Sequence, residues 1–346
     1  MRLGLLLRYD GEAGGPDMGL VLEAERLGFH SVWTGESYGS DSVTPITWVL
    51  SQTTKIKAGT GIMQMPARTP ACAAMTAMTL QAMSNDRFLM GIGPSGPQVI
   101  EGWHGVPYGK PLARTKEYIE IMRKIFDRTG TLEYSGEHYQ IPYKGPGASG
   151  LGKPLKSIMK ALPGLPIYTA AIAPAGLRTA GEVADGVLPI YLSPEKTSLV
   201  TDHVLDGIAA AGKPRSLEHF DIAPYVRMAM GPDLQACRDS IKPQLALYIG
   251  GMGARTKNFY NDYAKRLGYE DAAVKIQNDF LAGRRNDAAA AVPDALIDEI
   301  ALVGPPDRIT ARLKNWKAAS ADNRIGTMLI SGASVEGLRV AAEAIA

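Results

Sequence analysis

Apolar residues in this chain arrive in short runs, and between the runs they recur at helical spacing. Residues 2–7 form the first run, with the length of a buried strand, and a glycine-rich stretch follows over 9–15. Pro16 then opens a helical pattern with Leu20, Ala24 and Leu27 on one face, closed by Gly28. The same reading predicts further strands over 31–34, 55–62, 88–92, 166–171, 186–191, 220–230 and 326–330. Helices are predicted over 45–52, 70–83, 112–126, 174–183, 193–211, 233–249, 306–317 and 335–345. Over 112–126, Tyr118, Ile121, Met122 and Ile125 fall at i, i+3, i+4 and i+7, a strong apolar face. Ile309, Leu313 and Trp316 form the equivalent face over 306–317, and the helix over 70–83 is expected to turn Met75, Met78 and Ala82 inward.

Eight strand signals, each followed by a helix, imply a parallel sheet. In 346 residues they predict an α/β fold of the closed (β/α)8 TIM-barrel type. An open doubly wound sheet competes with it, but the first strand–helix turn carries no GxGxxG opening a helix. Two stretches break the rhythm. Residues 129–165 hold an expected hairpin over 132–141 and a loop rich in Gly, Pro and Lys, too long for an ordinary connection. Residues 250–292 read as a second, mostly helical insertion. No linker composition divides the chain, so the expectation is one barrel domain over 1–346 with both insertions near its mouth.

Lysine and arginine number 37 against 35 aspartates and glutamates, a net charge of +2, so no overall field points to nucleic acid or a membrane surface. The first apolar run stops at Arg8 and is read as a strand, not as a signal peptide. No apolar run approaches the roughly 20 residues that span a bilayer. Cys72 and Cys237 lack metal-type spacing and are expected to be reduced, buried thiols of a cytoplasmic protein. The histidines, 30, 104, 138, 203 and 219, form no HxH or HExxH, which argues against a metal site.

A barrel of this kind places its chemistry at the carboxyl ends of its strands. Those ends supply Arg8, Tyr9, Glu36, Ser37, Tyr38, the stretch 61–68, the GPSGP loop 93–97, the stretch 171–177, Tyr191, Arg227, Ser331 and Gly332. They hold no Ser/His/Asp arrangement, no carboxylate cluster and no strand-end lysine. A pocket rich in glycine, alanine, proline and methionine suits a large organic cofactor that brings its own reactivity. Within 58–70, AGTGIMQMPARTP, glycine sits inside a strand, where it weakens pairing unless a bulge or a close neighbour needs the room. The helix start at Ala173, Pro174, Ala175, Gly176 and Leu177 offers unpaired N–H groups that favour an anion.

Four stretches carry a resemblance: WTGES at the second strand, TGIMQMPARTPA at the third, FLMGIGPSGP at the fourth, and IYTAAIAPAGLRTAGEVADGVLP across the fifth and sixth. Together they resemble the luciferase-like flavin and deazaflavin oxidoreductases nearly end to end. The segment GPSGPQVIEGWHGVPYGKPLARTKEYIEI is similar to bacterial members that use coenzyme F420. The resemblance implies a bulge at the end of strand three with a cis peptide at Gly61–Ile62, backing the cofactor ring and favouring a bent ring. It implies cofactor contacts from Thr60, Gly61, Ile62 and Met63, a wall for the ring and ribityl chain from Gly93, Pro94, Ser95 and Gly96, and a phosphate site from Ala173 to Leu177. Arg68 is a candidate partner for the phosphate or the glutamyl tail of the cofactor, with a solvated surface arginine as the alternative. Glu36, with Ser37, is the candidate catalytic pair near ring and substrate, with a structural hydrogen bond from Glu36 to a neighbouring loop as the alternative.

Departures from the family pattern matter too. In the sugar-phosphate dehydrogenase branch a histidine follows the acid and a glutamate sits in the loop after strand four; here those places hold Ser37 and Pro94, Ser95 and Gly96. The methylene-tetrahydromethanopterin reductase branch fits the overall pattern better. His104, in EGWHG, is a candidate proton donor near the mouth or a packed, capping histidine. The resulting expectation is a coenzyme F420-dependent oxidoreductase that transfers a hydride between deazaflavin C5 and a small organic substrate, with no metal. An FMN-dependent two-component monooxygenase and a non-catalytic flavin-binding protein on the same fold stay open. The resemblance further implies a homodimer formed through the helices after strands two and three.

Overall fold

The structure is a computed structural model and describes residues 1–7, 15–212 and 214–346. Arg8, Tyr9 and most of the glycine-rich stretch after them lie outside the described residues. Among those described, parallel strands form a closed barrel: β1 (Arg2–Leu6), β2 (Ser31–Thr34), β3 (Lys57–Thr60), β4 (Phe88–Gly93), β5 (Ile167–Ala170), β6 (Gly186–Leu188), β7 in two pieces (Asp221–Ile222 and Tyr225–Met230) and β8 (Thr327–Ser331). Strand β7 closes the ring. Its first piece pairs with β6, Asp221 opposite Gly186, its second with β8, Tyr225 opposite Leu329, and β8 pairs with β1, Arg2 opposite Thr327. The break in β7 falls at Pro224, which has no N–H to give to a ladder.

Helices α1 (Met18–Arg26), α2 (Val43–Gln52), α3 (Pro70–Met83), α4 (Pro111–Asp127), α5 (Pro174–Val183), α6 (Ser198–Ala210), α7 (Pro306–Ala319) and α8 (Val335–Ile345) accompany the strands. Their ends follow the sequence chemistry. Asp17 caps α1 by accepting from the Leu20 N–H, Thr69 caps α3 by accepting from Cys72, and proline stands in the first turn of α3, α4, α5 and α7. Strand β4 is buried throughout because the interior lies on one side and helices on the other. Inside the barrel, Trp33, Leu89, Tyr168, Leu188, Ala223 and Leu329 make one apolar cluster. The Trp33 and Tyr168 rings meet edge to face with centroids 5.1 Å apart. The larger core fills the layer between strands and helices, where the predicted faces of α4 and α7 are buried.

Several details differ from the sequence expectations. In α3 the inward residues are Ala73, Ala74, Ala77 and Met78, while Met75 and Ala82 are exposed. The helix is alanine-rich around its circumference, so hydrophobicity alone does not mark its inner face. The helix expected over 233–249 is broken into Leu234–Asp239, Lys242–Ala246 and a π turn over Leu247–Gly251. Pro243 stands in the first turn of the second piece, where a missing N–H is tolerated. A short strand, Leu302–Gly304, pairs with the end of β7 and was not foreseen, since three apolar residues before two prolines carry no period. Cys72 is exposed, contrary to expectation, while Cys237 is buried.

Each insertion is tied to the barrel by hydrogen bonds. In the first, Tyr134–Ser135 and Gln140–Ile141 pair as the expected hairpin. Its turn is held by Glu117 of α4, whose carboxylate accepts from the backbone N–H groups of Glu137, His138 and Tyr139 at 2.7–3.0 Å. The second insertion shares an apolar cluster with the segments on either side of it, among them Ile241, Leu245, Leu296 and Ile300, and its Arg266 donates to the Ile172 carbonyl beyond β5 at 3.0 Å.

Candidate active site

Strand β3 reaches the barrel mouth with one residue too many. Gly59 stands opposite Leu89 and Met63 opposite Ile92, so four steps along this chain segment match three along β4. That is a one-residue bulge, and it falls at Thr60–Ile62. The Gly61–Ile62 peptide is cis. The bulge is held from both sides: the Gly61 N–H donates to the Thr34 carbonyl at 2.7 Å, the Ile62 carbonyl accepts from the Glu36 N–H at 3.2 Å, and the Gly61 carbonyl accepts from the Tyr225 hydroxyl at 2.7 Å. A Cβ on Gly61 would lie 2.6 Å from that hydroxyl, so glycine is the residue this contact admits. Ile62, half-buried, rests with Leu6 and Tyr225 on the interior cluster and forms an apolar floor beneath the mouth. A Cβ on Gly93 would lie 2.9 Å from Ile62 Cδ1, so the end of β4 closes directly onto this floor.

Not every residue of this stretch faces the mouth. The Thr60 side chain is buried and its hydroxyl bridges to β4, donating to the Gly91 carbonyl at 2.7 Å and accepting from the Gly91 N–H at 3.1 Å. The Met63 side chain is buried in the layer between strands and helices. These two contribute to the site through backbone and by fixing the bulge.

Glu36 and Arg68, assigned separate roles from sequence, meet each other. Arg68 donates to both carboxylate oxygens of Glu36, at 2.5 and 3.2 Å. The same carboxylate accepts from the Gln64 N–H at 2.7 Å and from the N–H and hydroxyl of Ser42 at 2.9 and 3.2 Å. With five donors on two oxygens, Glu36 joins the loops after β2 and β3, which is the structural alternative weighed above. Ser37 takes part through its carbonyl, which with the Glu36 carbonyl accepts from the Gln64 side-chain amide at 3.1 Å. Because the Gln64 NH2 group serves two carbonyls, its Oε1 is the atom that meets His104 Nε2 at 2.5 Å. Gln64, Ser42 and Tyr225 were not singled out from sequence. The signal for Gln64 was a polar residue in a run of buried methionines.

At the β4 end, Ser95 takes a left-handed conformation (φ 56°) and its carbonyl accepts from the Tyr108 hydroxyl at 3.2 Å, which fixes the turn from Pro94 to Gly96. Burial raises the Tyr108 hydroxyl above its ordinary pKa, so it stays a donor. At the start of α5, Ala173 is the N-cap residue and Pro174 and Ala175 are exposed. The Leu177 N–H is spent on the Ala173 carbonyl and its side chain is buried, leaving the Ala175 and Gly176 N–H groups at the helix end. Among the described residues no group of three His, Cys, Asp or Glu side chains could hold a metal ion, and no helix is long and apolar enough to cross a membrane.

The four stretches that carry the sequence resemblance lie at the ends of β2, β3 and β4 and across β5 and β6, and comparison with known proteins shows the family. The family model for luciferase-like monooxygenases matches residues 8–323. The chain belongs to the luciferase-like family. A relative from Mycobacterium tuberculosis, which carries the provisional name coenzyme F420-dependent oxidoreductase, is 40% identical over 341 residues, covering 98% of this chain and 97% of its own length. The 5,10-methylenetetrahydromethanopterin reductase of Archaeoglobus fulgidus is 27% identical over 318 residues, covering 90% and 87%. Among solved structures, the coenzyme F420-dependent tetrahydromethanopterin reductase of Methanopyrus kandleri superposes with a TM-score of 0.78 at 21% identity, covering 99% of this chain and 98% of that one. That likeness establishes the luciferase-like barrel fold.

Proposed function

We propose that this protein is a coenzyme F420-dependent oxidoreductase that moves a hydride between deazaflavin C5 and a small organic substrate. The observation that carries the reading is the 40% identity, nearly end to end, with the mycobacterial relative of that name. The residues at the mouth fit the group. The floor of Leu6, Ile62 and Tyr225 is apolar and suits a flat ring, and the strand ends bring few titratable side chains of their own. The N–H groups of Ala175 and Gly176 suit a phosphate.

When bound, the deazaflavin supplies two-electron hydride chemistry at C5. The protein's part is binding and orientation. In this reading Ile62 and the Gly61 backbone back the ring, Gly93 to Gly96 flank it, and the start of α5 holds the phosphate. Glu36 and Arg68 act as positioning residues that hold the loop after β2 against the bulge. His104 keeps its Nε2 proton on Gln64, so its Nδ1 is the nitrogen left for proton exchange. The outer faces of α2 and α3 expose Trp48, Met75 and Met83, which supports these helices as the surface of a homodimer.

The test is titration of purified protein with F420 and, separately, FMN, followed by quenching of intrinsic fluorescence, then turnover of reduced F420 with a panel of enones, imines, quinones and aldehydes. Binding of F420 with FMN much weaker, and oxidation by at least one panel member, are expected. Tight FMN binding without F420 binding would overturn the cofactor assignment. Reduced F420 that persists unchanged across the panel would leave a binding protein, not an enzyme.

A further inference from the structure

A recess opens beside the turn that follows β3. It is a cavity of about 290 Å³ between the turn after β3, the loop before α4 and the hairpin of the first insertion. Its lining includes the apolar Met65, Val106 and Pro107 and the polar Arg114, His138 and Tyr139. The size is near the low end of small-molecule sites, roughly 300 Å³.

Its charges do not balance internally. Arg68 also lines the recess, but Glu36 neutralises it. Glu117, the nearby carboxylate of α4, is turned onto three backbone N–H groups of the hairpin. Arg114 has no carboxylate within 4.0 Å among the described residues; its one hydrogen bond goes to the Pro107 carbonyl at 3.0 Å through Nη1. His138 lines the recess as well, and its Nε2 is buried without a partner. The Tyr139 ring is fixed by edge-to-face contact with Tyr118, centroids 6.0 Å apart.

We propose that this recess binds an organic anion, a carboxylate or phosphate head on a short carbon body, with Arg114 as its charge partner and His138 Nε2 and the Tyr139 hydroxyl as further donors. A guanidinium with free N–H groups matches either head in bidentate fashion, and the apolar walls take the carbon body. Burial raises the Tyr139 hydroxyl to a pKa of about 12, which keeps it a donor at neutral pH. The inference concerns binding alone, and its test uses no F420.

The test uses the full chain and three probes: hexanoate, hexyl phosphate and, as the neutral control, hexanol. Binding is read by saturation-transfer NMR and calorimetry. Either anion should bind about tenfold or more tightly than hexanol, and whichever anion is preferred assigns the head group. R114Q should weaken the anions by about tenfold or more, the scale of one lost charge-assisted hydrogen bond, while R114K, which keeps the charge but loses the planar fork, should weaken them by less than R114Q. V106D, which puts a like charge in the wall without touching a donor, should weaken them as well and serves if R114Q folds poorly. No binding of either anion, equal binding of hexanol, or unchanged affinity in R114Q or V106D would overturn the proposal.

Discussion

The hydroxyl of Tyr225 donates a 2.7 Å hydrogen bond to the carbonyl of Gly61, joining β7 to the bulge of β3 across the barrel mouth. Tyr225 is also where β7 resumes after Pro224 and bridges to Ile190 beyond β6. One residue therefore closes the ring of strands and fixes the backbone on which the proposed cofactor ring rests.

Tyr225→Phe keeps the ring packing and removes only the donor. The half-buried Gly61 carbonyl then loses its partner, which costs about 1–3 kcal/mol. The midpoint of urea unfolding should fall accordingly with an unchanged slope, and F420 affinity should weaken in parallel. An unchanged midpoint would mean that water replaces the hydroxyl without loss.

Glu36 and Arg68 should behave as one unit. An exposed ion pair contributes about 0–1 kcal/mol. This pair is bidentate, with side chains 7% and 21% exposed, and its carboxylate takes three further hydrogen bonds. A double-mutant cycle with Glu36→Gln and Arg68→Met should give a coupling of about 1–3 kcal/mol in unfolding free energy. Coupling near zero would remove the pair from its positioning role.

The fold was legible because its signal is redundant. Eight strand–helix alternations survive the blurring of any one of them, and the prolines that open α3, α4, α5 and α7 mark the joints. What was lost lacked periodicity. The short strand Leu302–Gly304 has too few residues for a pattern, and the break at Pro243 replaced one expected helix by three pieces. For the site, strand order told which loops meet, since β2 and β3 are neighbours, but not which side chains pair. Glu36 kept both readings, catalytic or structural, because its donors come from three separate places, Ser42, Gln64 and Arg68. Only folding brings them to one point, and no spacing in the chain announces it.

The amide of Gln64 fixes the tautomer of His104. Its NH2 group is used by the carbonyls of Glu36 and Ser37, so its oxygen accepts, and His104 Nε2 must carry the proton. The ring ¹⁵N spectrum of neutral His104 should show the Nε2–H form. In Gln64→Met, which removes the acceptor, the Nδ1–H form should grow in, and any turnover dependent on Nδ1 should fall with it. A dominant Nδ1–H form in the unsubstituted protein would sink the network as drawn.

His30 should give the protein an acid sensitivity that begins before its carboxylates titrate. It lies at the amino-terminal end of β2, opposite the mouth, where its N–H donates to the Leu3 carbonyl and its Nδ1 is buried without a partner. Burial, and then the positive charges of Arg2 and Lys57, lower its pKa from 6.5 to about 4. The folded state therefore holds His30 neutral, while the unfolded chain takes up a proton below pH 6.5. Stability from this residue is complete above the unfolded value and is lost as pH falls from about 6.5 to about 4, with no further loss below. Glu23, held down to about 2 by Arg26 and Arg339, acts in a lower window that opens only below its ordinary 4.5. Melting temperatures of the parent and of His30→Asn, followed from neutral pH downward, separate the two. The parent should lose stability relative to the variant between about pH 6.5 and pH 4 and run parallel to it below. Parallel curves over the upper window would show that His30 is protonated in the fold at little cost.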